Sequence, residues 1–294
     1  IDILVNGYKK LGCIEIGPYS QLVAWNNVEG VRVKLGVRSS YKFSKKWLLK
    51  AHGAYGSIDE KWKYGASADY LFSKRKWLWA GIEYSYDLEQ LGIFSFNKAN
   101  ISTLFLAVSR WGNLSNSNPF YISNYSSYLQ IDPFRGISTK LQFNYQQFNQ
   151  VPINSDRYNF GYYSVPSDTT SAINHTLNNA ELVFETRIAR RETFLYYEHN
   201  RLSMGNEQVP IFTFRYHLGL KGVGGSQFAY QKFALQMSQL VTIGKLGRSS
   251  YTIRGNYVPN TLPFPLLTIH QGNQSFVYSA GIFNLMNLFE FVSS

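Results

Sequence analysis

Five histidines are the side chains of this chain best suited to moving protons or holding a metal: His52, His175, His199, His217 and His270. None stands in a His-Glu-x-x-His or His-x-x-Glu arrangement, so the helix-borne zinc site of a metallopeptidase is excluded. Glu198 and His199 are adjacent, and neighbours on a strand point to opposite faces, so they read as a loop or rim pair rather than an acid–base couple. His217 beside Arg215, and Asp87 with Glu89, are the groups from which a rim hydrolase acting on lipid or peptide would be built. Nothing in the spacing joins them to a nucleophile. Asp87 and Glu89 are expected instead to pair with strand arginines, because buried charges need partners. Cys13 is the single cysteine, which rules out an intrachain disulfide. It ends a Lys10-Leu11-Gly12-Cys13 run that resembles a lipoprotein processing site, but no apolar stretch precedes it. The glycines at 219, 222, 224 and 225 are followed by no helical pattern and read as tight turns with positive φ, not as a dinucleotide cradle. No catalytic, cofactor-binding or metal-ligating residue is expected.

What would position these side chains is a two-residue rhythm that runs from end to end. In Lys61 to Ser73 the even positions are Trp, Tyr, Ala, Ala, Tyr and Phe, and the odd ones are mostly polar or small. Val31, Val33, Leu35 and Val37 alternate with Arg32, Lys34, Gly36 and Arg38 in the same way. So do Phe212, Phe214, Tyr216 and Leu218 with Thr213, Arg215, His217 and Gly219. Successive strand side chains face opposite ways, so each segment is a ribbon with one apolar and one polar side. Further strands are expected over 11–26, 46–58, 100–111, 120–131, 180–190, 192–203 and 228–243. Many ribbons are ten or more residues long, which matches the roughly 9–11 residues needed to cross a bilayer better than the 5–6 common in soluble sheets.

The expected fold is therefore all-β: one antiparallel transmembrane outer-membrane β-barrel domain over 1–294, with about 14–16 strands. No apolar run approaches the roughly 18 residues a membrane helix needs, and the mean hydropathy is slightly negative although 45% of residues are hydrophobic. A barrel reconciles these facts, because only alternate residues meet lipid. Trp47, Trp62, Trp77, Trp79 and Trp111 suit its interfacial girdles. Short connections such as 44–46 and 245–248 contrast with long polar ones at 112–118 and 151–174, as periplasmic turns contrast with extracellular loops. The net charge of +11 is scattered over many strands rather than gathered in one block. That argues against nucleic acid and for a basic lumen or contact with anionic lipid head groups. The candidate lumen-lining residues are Arg32, Lys34, Lys61, Lys63, Lys140, Arg215 and Arg254. Leu262-Pro263-Phe264-Pro265 cannot lie inside a ladder, since proline donates no hydrogen bond. Pro263, Phe264, Pro265, His270, Asn273, Phe283 and Met286 are the candidates for a loop that either folds inward as a constriction or faces a partner.

Several stretches resemble one family. They are Val28-Glu29-Gly30-Val31-Arg32, Asp87-Leu88-Glu89-Gln90-Leu91-Gly92, Gly219-Leu220-Lys221-Gly222-Val223-Gly224-Gly225, Leu246-Gly247-Arg248 and His270-Gln271-Gly272-Asn273. The tail Phe283-Asn284-Leu285-Met286-Asn287-Leu288-Phe289-Glu290-Phe291-Val292-Ser293 is the most specific of them. Together they resemble the DUF5686 family of Bacteroidota outer-membrane proteins, often labelled carboxypeptidase-like regulatory domain-containing proteins. The resemblance implies an outer-membrane barrel without peptidase chemistry. It also implies closing strands beyond Ser294, so this chain is expected to lack terminal strands. The expected role is a non-enzymatic subunit of an assembly, export or surface-display complex, with outer-membrane lipid, lipopolysaccharide and other envelope proteins as partners. The alternative is a pore or transporter with a basic lumen.

Overall fold

In a computed structural model the alternating ribbons form one large antiparallel sheet. The structure describes residues 7–91, 103–114, 119–151, 176–204, 209–270, 272–273, 282–283, 285–286 and 292–293. A short hairpin of β1 (Lys9–Leu11) and β2 (Ile14–Ile16) opens the sheet, and β2 and β3 (Val23–Asn26) both pair with β4 (Gly30–Ser39). Each strand then pairs with the next: β5 (Trp47–Gly56), β6 (Trp62–Ser73), β7 (Leu78–Gln90), β8 (Pro119–Phe134), β9 (Ile137–Gln150) and β10 (Thr176–Ile188). The hairpin of β11 (Phe194–Tyr197) and β12 (Asn200–Ser203) leaves the ladder, which resumes at β13 (Ile211–Gly219), β14 (Tyr230–Thr242) and β15 (Arg248–Tyr257). Beyond it, β16 (Thr268–Ile269) pairs with β17 (Val292–Ser293). The sheet has 13 strands, with β1 and β15 as its edges, and it is not closed among the described residues.

Alternation becomes burial in an inverted sense. Along β4 the apolar side chains Val31, Val33, Leu35 and Val37 are 48%, 56%, 57% and 37% exposed, while Arg32 between them is 1% exposed. The apolar face is thus the convex, open one, and the charged face is concave and covered. The sheet curls far enough that side chains meet across its hollow: Arg32 on β4 reaches Asp87 on β7, three strands away. On the convex face Tyr64, Tyr84, Tyr125 and Tyr145 make a cross-strand row with ring centroids 5.9, 4.4 and 6.1 Å apart. Such pairs add to sheet stability beyond their buried area.

The two ends of the sheet differ. Turns at 40–46, 74–77, 135–136 and 243–247 are tight and share one end, the short-turn end, with the insertion that carries β11 and β12. The connections after β7, β9, β13 and β15 lie at the other, long-loop end. Gly36 permits a close approach where β2 gives way to β3: a Cβ there would stand 2.3 Å from the Gly17 carbonyl oxygen.

Three expectations need correcting. Residues 103–108 form a helix, α1 (Thr103–Val108), instead of a strand; the apolar run 104–108 has no alternation, and a short run of that kind fits either period. Residues 192–203 make a hairpin rather than one strand, because Glu198 adopts a left-handed φ of 53°. Residues 11–26 are broken by a 3-10 turn at Tyr19–Gln21. The expected 151–174 loop lies outside the described residues except for Val151.

Candidate functional site

The concave face carries two polar assemblies, each built from the inward half of the alternation. The first lies toward the long-loop end, on β4 to β7. Arg32 Nη1 is 2.6 Å from Glu29 and 2.8 Å from Asp87, and Arg32 Nη2 donates to the second Asp87 oxygen at 2.9 Å. Lys63 is wholly buried between Glu29 at 3.0 Å and Asp59 at 2.5 Å. Arg110, just past α1, comes within 3.4 Å of Asp87 and 3.5 Å of Glu89, so the β7–β8 connection folds back over the hollow. An adjoining cavity of about 180 Å³ is lined by Lys34, His52 and Asp87. Lys34 donates to Gln21 at 3.2 Å, and His52 Nε2 is buried with no hydrogen-bond partner among the described residues. Arg32, Lys34, Lys63 and Arg110 stand against Glu29, Asp59, Asp87 and Glu89, four charges of each sign. Ions this deeply covered persist only when paired and hydrogen-bonded.

The second assembly is a chamber of about 630 Å³ between the inward faces of β7 to β14. Its wall includes Glu83, Lys140, Glu185, Arg215, Glu181, His217 and Lys232. Arg215 Nε donates to Glu185, and Lys140 Nζ lies 4.8 Å over the Tyr128 ring. His217 Nδ1 is 3.2 Å from Glu181, which also accepts from Tyr230 at 2.9 Å and from Asn144 at 3.0 Å. The acidic partner of His217 is thereby spoken for by a phenol and an amide. His217, Glu181, Tyr230 and Asn144 thus form one hydrogen-bonded stretch of the chamber wall.

Both ends of the chamber are covered. At the long-loop end the inward residues turn apolar, with Phe120, Ile122, Phe148 and Leu177, and they receive Leu262, Leu266 and Ile269. The 3-10 turn Phe264–Leu266 therefore sits inside the hollow, with Pro263 and Pro265 buried beside it. At the short-turn end lies the β11–β12 hairpin. Arg201 on β12 pairs with Asp132 at the end of β8 and stacks 5.1 Å over Trp77. Tyr196 packs on Trp77 at 5.4 Å, His199 Nε2 meets the Ser44 carbonyl at 2.9 Å, and Glu198 accepts from Lys10 of β1 at 2.7 Å. The hairpin thus spans from β10 to the far edge of the sheet. Its root is fastened by Glu192, which takes both Arg187 nitrogens at 2.5 and 2.8 Å.

Two groups of this hairpin are perturbed. Burial pushes His199 below the usual histidine value, so it is held neutral. Burial pulls Glu192 upward, but the hydrogen bonds from Arg187 and Ser203 outweigh it and hold the carboxyl below its usual range.

The sequence-derived candidates separate accordingly. Arg32, Lys34, Lys63, Lys140 and Arg215 lie on the concave face, the first and third wholly buried in ion pairs. Lys61 is exposed at the long-loop end, its Nζ 4.0 Å over the Tyr121 ring, and Arg254 is half-buried on β15. Beyond the turn, the His270 ring lies 6.3 Å from that of Phe283, and the Asn273 N–H donates to the Met286 carbonyl at 2.8 Å. Trp77 and Trp79, expected in a girdle, are 7% and 5% exposed and lie under the hairpin; Trp47 and Trp62 are exposed on the convex face. Sequence reasoning missed Glu29, Asp59 and Arg110 as partners, and missed the hairpin as a cover. Among the described residues no group of three or more histidines, cysteines or carboxylates is placed to hold a metal.

The model of the family described as "Family of unknown function (DUF5686) C-terminal domain" matches residues 4–294. No curated protein matches the chain. Among solved structures, it is similar to BamA from Haemophilus ducreyi lacking POTRA domains 1–3, at TM-score 0.49 and 12% identity. That similarity covers 90% of this chain and 45% of the BamA chain. This chain thus spans less than half of that protein's length.

Proposed function

The chain belongs to the DUF5686 C-terminal domain family, and on that premise we propose that it is a transmembrane β-barrel of the outer membrane of a Bacteroidota-type bacterium. It works without catalysis, as a subunit of a complex for protein assembly, export or surface display. The observation that carries this reading is the inverted burial of the sheet. Leu35, Tyr64, Ile82, Tyr125, Leu235 and Ile253 are between 50% and 64% exposed on the convex face, while Glu29, Arg32 and Lys63 are at most 1% exposed on the concave one. Water rewards the opposite arrangement, and lipid rewards this one.

The role as a subunit rests on how full the interior is. The 262–269 segment and the β11–β12 hairpin cover the two ends of the chamber, and the ion pairs of the first assembly leave only a cavity of about 180 Å³ beside them. An interior of this kind suits a scaffold better than a free passage. The experiment is extraction of the protein at native level from its own outer membrane in mild detergent, followed by mass spectrometry of what travels with it. A stoichiometric set of envelope proteins is expected. A lone monomer with robust turnover or conductance would overturn the reading.

The chamber itself favours a second reading, a gated transporter. Its lining opposes Lys140, Arg187, Arg201, Arg215 and Lys232 to Glu83, Glu181, Glu185 and Glu192, five cations to four anions. Such a passage would discriminate weakly between anions and cations, so weakly selective current in planar bilayers is its signature.

A further inference from the structure

We propose that the short-turn rim of the sheet is a binding surface for the anionic phospholipid head groups of the leaflet that surrounds it. This rests on the barrel reading above and adds a site to it. Six cations form its core: Lys45 and Lys46 after β4, Lys74, Arg75 and Lys76 after β6, and Arg135 after β8. All six are exposed, and together they are more than half of the chain's excess of 29 cations over 18 anions. Exposed lysines and arginines continue in the turns after β10 and β14.

The three turns form one continuous arc. The Lys46 carbonyl accepts from the Leu71 N–H, Lys74 Nζ donates to the Tyr41 hydroxyl, and the Lys76 carbonyl accepts from the Asp132 N–H, each at 2.8 Å. The single carboxylate among them, Asp132, is given to Arg201 of the hairpin. Asp132 and Arg201 thus neutralise each other, while the six cations of the arc are exposed to the surroundings. The described turn between β5 and β6, at the opposite end, exposes Glu60 and Lys61, one charge of each sign.

Immediately above the arc, on the convex face, stand Trp47, Phe72 and Phe134, exposed by 45%, 56% and 72%. Cations bordering an exposed aromatic edge match the head-group boundary of a bilayer, where phosphate lies just outside the acyl region. Cations spread along successive turns of the rim, with an aromatic border directly above them, fit a layer of lipid head groups. Phospholipid rather than lipopolysaccharide follows from the turns, since short turns of such barrels face the periplasm and hence the inner leaflet.

The test uses the intact protein in detergent and in nanodiscs of phosphatidylcholine alone, phosphatidylcholine with phosphatidylglycerol, or phosphatidylcholine with lipid A. Native mass spectrometry counts the lipids retained. A cation near an anionic surface improves partitioning roughly fivefold, so six acting together should favour phosphatidylglycerol at least tenfold. That preference should collapse near 1 M salt, where the screening length is about 3 Å. The sextuple variant K45Q/K46Q/K74Q/R75Q/K76Q/R135Q should lose the preference while still migrating as a heat-modifiable folded species. A variant with Arg at the four lysine positions should keep it, which separates charge from folding. Equal retention of the two phospholipids by the unaltered protein, or an undiminished preference in the glutamine variant, would overturn the proposal. Preferential retention of lipid A would overturn the assignment to phospholipid. Failure to insert into any of the discs would overturn the barrel reading as well, whereas insertion without preference counts against the rim alone.

Discussion

Arg32 ties together two strands, β4 and β7, that are remote in the chain. Its guanidinium bridges Glu29 at the start of its own strand and both oxygens of Asp87 on β7, and it has almost no contact with solvent. Removing one member of a buried pair typically costs about 3–5 kcal/mol, because the remaining charge is stranded. Here Glu29 keeps Lys63 and Asp87 keeps Arg110, so Arg32→Met should cost less, about 2–3 kcal/mol. Asp87→Asn should be milder still, since Arg32 retains Glu29 and Arg110 retains Glu89. Denaturant unfolding in lipid vesicles or detergent, followed by tryptophan fluorescence, gives both values. A loss below about 0.5 kcal/mol for Arg32→Met would mean that the cluster is solvated in the membrane-embedded protein.

The β11–β12 hairpin is the element whose docking is most open to manipulation. Two of its groups respond to acid in the same direction. His199 has a depressed value in the folded protein, so the unfolded hairpin binds a proton first and docking weakens as pH falls below the ordinary histidine value of about 6.5. Glu192 is also depressed, so its contribution is complete above the ordinary glutamate value of about 4.3 and is lost as pH falls through the lower folded one. Limited proteolysis within 194–203 should therefore accelerate from pH 7 to pH 5, and again below pH 4; a flat profile would show that neither group secures the hairpin. Replacing 194–203 by a short glycine–serine linker should uncover Trp77 and Trp79 and shift tryptophan emission to the red; unchanged emission would show that the hairpin does not cover them. The strands of the sheet were legible in the sequence because alternation is a local property: Val31 to Val37 declares its two faces without reference to any other strand. The hairpin was not, because the aromatic and polar residues of 192–203 suit one strand as well as two, and only the left-handed turn at Glu198 divides them. Helix α1 was misread because an unbroken apolar run carries no period. The Arg32–Asp87 pairing was half legible: the sequence showed that Asp87 needed a cation, but which one depends on the curl of four strands.

At the scale of the whole molecule, everything turns on which face of the sheet meets water. Leu235 lies near the middle of β14 and is 54% exposed. Were the convex face solvated, Leu235→Arg would be a surface change within about 0.5 kcal/mol of neutral. Against lipid, an arginine near the bilayer midplane costs about 2–4 kcal/mol, and the cost falls toward the interfaces. The same substitution at Phe134, the 72%-exposed residue beside the short-turn rim, should therefore be nearly free. Leu235→Arg and Phe134→Arg form a matched pair: both remove an exposed apolar side chain, and only depth in the membrane distinguishes them. Unfolding measured in vesicles should separate them by at least about 1.5 kcal/mol. The gap should close when the protein is unfolded from a detergent micelle that thins around the charge. Equal costs in vesicles would remove the membrane from the account of this fold, because no soluble environment orders the two sites in that way.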